Sequence, residues 1–381
     1  MNKFWSIIAL IFSSISCQIF LHNLFISKPI IFSQNLARAS QKYSRVRCNA
    51  PKQNIGNNRE FCVSPEIVEN TIHKYRKIGA IVELEGLNLP RPKVTGKATI
   101  PLQFLTGGKA FTLTAILGKK SGNLLLDTGA STSIIATETV KELGLMGKPV
   151  PQELLTYAVA GDECPEMKAN LHRLPVLKID NVKVEGLTVL EFTTTFMPDG
   201  LSGVLGMDIL SNFDVEIHPQ TQELKLLPPT PIPSTNIDDA IPLKTKLGVM
   251  LAEVEINGKG PFIFMLDTGA ESIFISQKLA NQLNISAAER QEIRVQGFCG
   301  IEMAEYASLA KVKMGNYQLT NLETVILSSP VLKLLEVDGI LGQNFLNNYQ
   351  QYWRFNQKNP ENFPVDGSLL LTPSGLTQID F

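Results

Sequence analysis

Leu124-Leu125-Leu126-Asp127-Thr128-Gly129-Ala130 and Phe264-Met265-Leu266-Asp267-Thr268-Gly269-Ala270 decide how this chain is read. Each is an apolar run of strand character ending on an aspartate, a threonine and a glycine. A single Asp-Thr-Gly triplet arises by chance in roughly one chain in ten of this length at average composition. Two in matching surroundings are a different matter. Working outward, Ile100-Pro101-Leu102 recurs as Ile241-Pro242-Leu243 at an offset of 141, against 140 for the aspartates. Gly161 then pairs with Gly297, Glu166-Met167 with Glu302-Met303, Gly203 with Gly339, and Leu205-Gly206 with Leu341-Gly342, all at 136. Beyond a one-residue difference ahead of the motif, the register slips by a net four residues between the motif and the following glycine turn, as a change of loop length does in duplicated domains.

The 381 residues suit two such lobes, each with its own core. Within each copy, short strand-like runs such as Phe111 to Leu117 and Val249 to Ile256 alternate with glycine turns. One helical piece follows each motif, at Thr137 to Leu143 and Gln277 to Leu283. Pro228-Pro229-Thr230-Pro231-Ile232-Pro233 suits neither a central strand nor a helix interior and reads as a stiff linker. The expected organisation is lobe one at 96–227, linker at 228–239 and lobe two at 240–374. Residues 40–95 form an appendage without a counterpart in the second half, with a short helix expected around Pro65 to Lys77.

Lysine and arginine total 35 against 36 acids, a net charge of −1, so the chain lacks the basic footprint of a nucleic-acid binder. Residues 1–39 begin with Lys3 and continue uncharged from Phe4 to Ser27, a pattern of export that fits either a cleaved signal peptide or a retained membrane anchor. Ala37-Arg38-Ala39 offers a cleavage site, and lipidation at Cys17 is a weaker third option. An extracytoplasmic location follows as the expectation. Of the later cysteines, Cys48 and Cys62 close a short loop and are the expected bridge, while Cys164 and Cys299 read as ordinary thiols.

An aspartate ahead of a glycine at a strand end carries its carboxyl on a tight turn, where backbone N–H groups can reach it. Two such carboxyls brought together share one proton, because like charges a few ångströms apart cannot both ionise. One then serves as base and the other as acid toward a water between them. No metal or cofactor is expected: His22, His73, His172 and His218 lack ligand spacing, and neither Gly-x-Ser-x-Gly nor a phosphate-loop glycine pattern is present.

In these features the sequence resembles the retropepsin-like aspartic peptidases, for which the shared-proton dyad is the standard behaviour. The resemblance rests on Asp-Thr-Gly-Ala in each lobe, with Ala130 and Ala270 where pepsin-like enzymes usually carry serine or threonine, and on Val204-Leu205-Gly206 and Ile340-Leu341-Gly342. It implies a mostly β fold of two pseudo-symmetric acid-protease-like barrel lobes with short helices, both halves of the site lying in one chain. It further implies Asp127 and Asp267 as catalytic residues, Thr128 and Thr268 locking the turns together, and Gly129 and Gly269 orienting the carboxyls. Glycine-bearing flaps are implied at Gly161 and Gly297. The substrate would be a polypeptide and the catalytic unit a monomer, with a membrane tether left open. The competing readings are a non-catalytic peptide- or protein-binding module on the same fold, and a dyad shared between two chains. Asp208 and Asp338 read as turn residues, and Trp353-Arg354 as part of a lobe.

Overall fold

The computed structural model describes residues 75–76, 80–84, 89, 91–151, 155–159, 168–193, 197–230, 239–297, 300–356 and 364–373. All of them belong to one compact unit, Ser64–Phe381. The N-terminal segment with Cys17, the Cys48 and Cys62 pair, Gly161, Cys164, Cys299 and most of the linker lie outside the described residues. No helix among the described residues is long and apolar enough to cross a membrane.

The chain is mostly β and forms two curled sheets that correspond to the two lobes. Each lobe starts from an antiparallel hairpin, Phe111–Leu117 with Lys120–Leu126 and Val249–Ile256 with Lys259–Leu266. The second strand of each hairpin begins in solvent and ends in the core, with Leu124, Leu125 and Leu126 buried in one and Phe264, Met265 and Leu266 in the other. That gradient of burial carries the next residue, the motif aspartate, inside. The helices Thr137–Leu143 and Gln277–Gln282 follow each motif where the leucine and alanine spacing placed them.

Both motif strands then receive a parallel neighbour from much later in the lobe. Leu201–Leu205 runs beside the first, with Leu126 opposite Leu205, and Gly339–Leu341 beside the second, with Leu266 opposite Leu341. These late strands are also antiparallel to Ile134–Ile135 and Ile273–Ser276. The glycines that end them are sites of close approach: a Cβ on Gly206 would come within 2.7 Å of the Ala130 carbonyl oxygen, and one on Gly342 within 2.6 Å of that of Ala270. A side chain there would push the motif turn off its support.

The lobes meet in a shared sheet ordered Ala98–Pro101, Glu223–Leu227, Asp214–His218, Tyr349–Asn356, Asp366–Pro373 and Ile241–Lys246. Its central pair is antiparallel, with Glu216 opposite Tyr352. Those two residues are themselves equivalent at the offset of 136, so the pseudo-twofold axis passes through their pairing. Trp353, 1% exposed, stands opposite Val215 in this sheet and donates from Nε1 to Gln351 Oε1 at 3.2 Å. The linker begins tied down, since Thr230 N–H donates to Asp214 Oδ2 at 3.1 Å.

One expectation fails in its described part. Tyr75 and Arg76, placed at the end of a helix by the sequence, form a strand parallel to Gln291–Gly297. Unpaired backbone groups on that edge recruit the segment, and this long-range pairing overrides local helical preference. Lys93–Thr95, also ahead of lobe one, pairs with Val182–Glu185 of that lobe.

Candidate active site

The two motif turns meet at the interface of the lobes, and Asp127 and Asp267 are 0% and 2% exposed. Within each turn the glycine N–H folds back on the carboxylate: Gly129 N–H donates to Asp127 Oδ1 at 2.8 Å and Gly269 N–H to Asp267 Oδ1 at 2.7 Å. Asp267 Oδ1 accepts a second bond from Ala270 N–H at 3.1 Å. The aspartates' own N–H groups donate to Leu205 and Leu341, at 3.2 and 3.1 Å, which ties each turn to the late strand behind it.

Four hydrogen bonds lock one turn to the other. Thr128 N–H donates to Thr268 Oγ1 at 3.0 Å, and Thr268 N–H to Thr128 Oγ1 at 3.1 Å. The hydroxyls donate onward across the interface, Thr128 to the Leu266 carbonyl at 3.0 Å and Thr268 to the Leu126 carbonyl at 2.9 Å. Each hydroxyl thus accepts one bond and gives one, and both threonines are buried. Buried as they are, these bonds fix the separation of the carboxyls. The closeness is visible at Gly129, where a Cβ would lie 2.4 Å from Asp267 Cγ and 2.6 Å from both of its oxygens.

Burial pushes the Asp127 carboxyl well above the ordinary carboxylate range, and the Asp267 carboxyl facing it pushes in the same direction. The N–H groups of Gly129 and Ala130 oppose the rise without cancelling it. Asp127 Oδ2 has no hydrogen-bond donor among the described residues apart from that facing carboxyl. This arrangement holds one proton on the pair and resists a second ionisation.

Four supports around the site escaped the sequence reading. Asp208 accepts from Ser133 N–H at 3.0 Å and from its hydroxyl at 2.6 Å, bracing the loop that follows the first motif. Burial raises its carboxyl to about 6 despite those bonds. Gln343, fully buried, donates from Nε2 to the Thr268 carbonyl at 2.8 Å. Its lobe-one equivalent is the apolar Met207, so a polar residue at an otherwise apolar repeat position was the available signal. Gly108 presses against the Glu271 side chain of the other lobe and so serves close packing, while Gly107 adopts the left-handed backbone of a turn at φ +72°. Asp338 accepts from Ile263 N–H at 3.0 Å, which supports the second hairpin.

Of the implied flap glycines, Gly297 is described: it stands opposite Gly300 at the tip of the hairpin formed by Gln291–Gly297 and Gly300–Met314. Gly161 lies outside the described residues, just beyond the strand Leu155–Val159. Among the described residues there is no group of three histidine, cysteine or acidic side chains able to hold a metal ion.

Comparison with protein families finds two tandem matches. Residues 113–209 match a family described as aspartyl protease, and residues 252–348 match one described as gag-polyprotein putative aspartyl protease. Each match contains one motif and the glycine that closes its lobe. A comparison with curated proteins finds no match.

Proposed function

The chain belongs to the retropepsin-like aspartic protease family, and on that premise we propose that it is an aspartic endopeptidase in which Asp127 and Asp267 activate a water for peptide hydrolysis. The observation that carries this reading is the pair of buried carboxyls held face to face by the reciprocal threonine bonds. A lobe that retained its turns for folding alone would have no use for two opposed carboxylates, whose repulsion costs stability.

Both carboxyls are buried, face each other and meet the N–H groups of their own turn, so the pair carries a single shared proton. The ionised member takes a proton from the attacking water, and the protonated member donates to the carbonyl oxygen of the scissile bond. The gem-diol intermediate then collapses: the carboxyl that took the water's proton passes it to the leaving nitrogen as the C–N bond breaks, and a gem-diol hydroxyl returns its proton to the other carboxyl, which restores the pair. Substrate lies extended between the lobes, a single chain supplies both halves of the site, and the N-terminal segment, as cleaved signal or retained tether, delivers the enzyme outside the cytoplasm.

The test is hydrolysis of a peptide library by the wild type, Asp127→Asn and Asp267→Asn, with pepstatin as inhibitor control. Each variant is expected to lose cleavage; undiminished cleavage by either overturns the assignment. Tight peptide binding without turnover anywhere between about pH 3 and 7.5, the range a coupled dyad can require, would favour a binding module.

A further inference from the structure

Two short strands ahead of lobe one lie along the flap strands. Tyr75–Arg76 adds to the edge of Gln291–Gly297 in parallel, with Tyr75 opposite Val295 and Arg76 opposite Gln296. Ala80–Leu84 adds to Leu155–Val159 antiparallel, from Ala80 opposite Val159 to Leu84 opposite Leu155. Leu155–Val159 and the first five residues of Gln291–Gly297 are equivalent positions at the repeat offset of 136.

The register of these pairings is informative. A pseudo-twofold axis reverses strand direction, so one chain segment crossing it must run antiparallel to one copy of a strand and parallel to the other. That is the observed combination. Moreover, the equivalent residues Val159 and Val295 stand opposite Ala80 and Tyr75, so the two contacts are symmetric about a point midway between those positions. A strand that merely blunted an exposed edge would have no reason to respect the symmetry of both lobes. A peptide lying extended between two equivalent flaps, bonded through its backbone to each, meets this geometry necessarily. The dyad is closed to solvent in the same structure.

We infer that Tyr75–Arg76 and Ala80–Leu84, the two described strands of the sequence Tyr-Arg-Lys-Ile-Gly-Ala-Ile-Val-Glu-Leu, are a tethered occupant of the substrate-binding edges and hold the peptidase inhibited until displaced. The inference rests on the proposed peptidase reading for its consequence, though not for the occupancy. Being part of the same chain, the segment competes at an effective concentration on the order of millimolar, which a dilute peptide substrate cannot match.

The experiment uses the full chain and a fluorescent synthetic decapeptide of the same sequence. Alternate N–H groups of an edge strand face its partner, so of Ile81→Pro and Val82→Pro one removes a ladder bond and the other serves as its control. In the Asp127→Asn background, the disrupting proline is expected to tighten decapeptide binding at least about tenfold, as release of a competitor at that effective concentration requires. With the dyad intact, the same proline raises kcat/KM on a peptide substrate by a similar factor. Equal decapeptide binding by wild type and both prolines overturns the inference. If binding tightens and no variant hydrolyses peptide, the occupant stands and the peptidase reading falls. Hydrogen exchange on the unaltered sequence checks the point without substitution: saturating decapeptide should expose the amides of 80–84 while those of 155–159 stay protected, and continued protection of 80–84 overturns the inference.

Discussion

Replacing Thr128 by valine removes a hydroxyl and keeps the shape. Two of the four interlobe bonds go with it, the 3.1 Å bond accepted from Thr268 N–H and the 3.0 Å bond given to the Leu266 carbonyl. Both partners are left in a buried interface, and an unsatisfied buried polar group costs about 1–3 kcal/mol, so the variant should lose about 2–6 kcal/mol. Against a typical total of about 5–15 kcal/mol that is a large fraction. At roughly 2–4 °C per kcal/mol for chains of this size, Tm should fall by at least about 4 °C. Thr128→Ser keeps the hydroxyl and should stay near wild type, which separates loss of the bonds from loss of packing. Activity should fall further than stability, because displacement of a reacting group by about 1 Å costs on the order of 100-fold in rate. Calorimetry of the three proteins, with peptide hydrolysis at a temperature where all are folded, provides the assay. A Thr128→Val protein melting within about 2 °C of wild type would refute the claim that these bonds join the lobes.

Further predictions concern the carboxyls. Gly129→Ala would place a methyl against the Asp267 carboxyl, so it should abolish hydrolysis while circular dichroism shows the sheets retained; an active Gly129→Ala enzyme contradicts the separation described. Asp208, raised to about 6 by burial, contributes stability that is full below its unfolded value near 4 and is lost as pH rises through about 6. With solvent at its rim, the loss should be about 1–3 kcal/mol. Urea titrations at pH 4.5 and 7.5 should show that fall in the wild type and little of it in Asp208→Asn.

Much of the site is local in origin and therefore legible. The apolar runs ending on Asp127 and Asp267 specify buried strands that deliver a carboxyl to a glycine turn, and their repetition in register specifies two equivalent lobes. Helices at Thr137–Leu143 and Gln277–Gln282 follow from side-chain spacing alone. What the sequence could not determine is which backbone groups meet across large separations. The threonine lock joins residues 140 apart, the Asp208 brace reaches back to Ser133, and Gln343 reaches Thr268; no residue pattern marks these partners before the sheets have closed. The segment at Tyr75–Leu84 shows the same division most sharply. Its composition suits a strand or the end of a helix, and only the tertiary structure, by presenting two equivalent strand edges at Leu155–Val159 and Gln291–Gly297, decided that Tyr75–Arg76 and Ala80–Leu84 would pair with them.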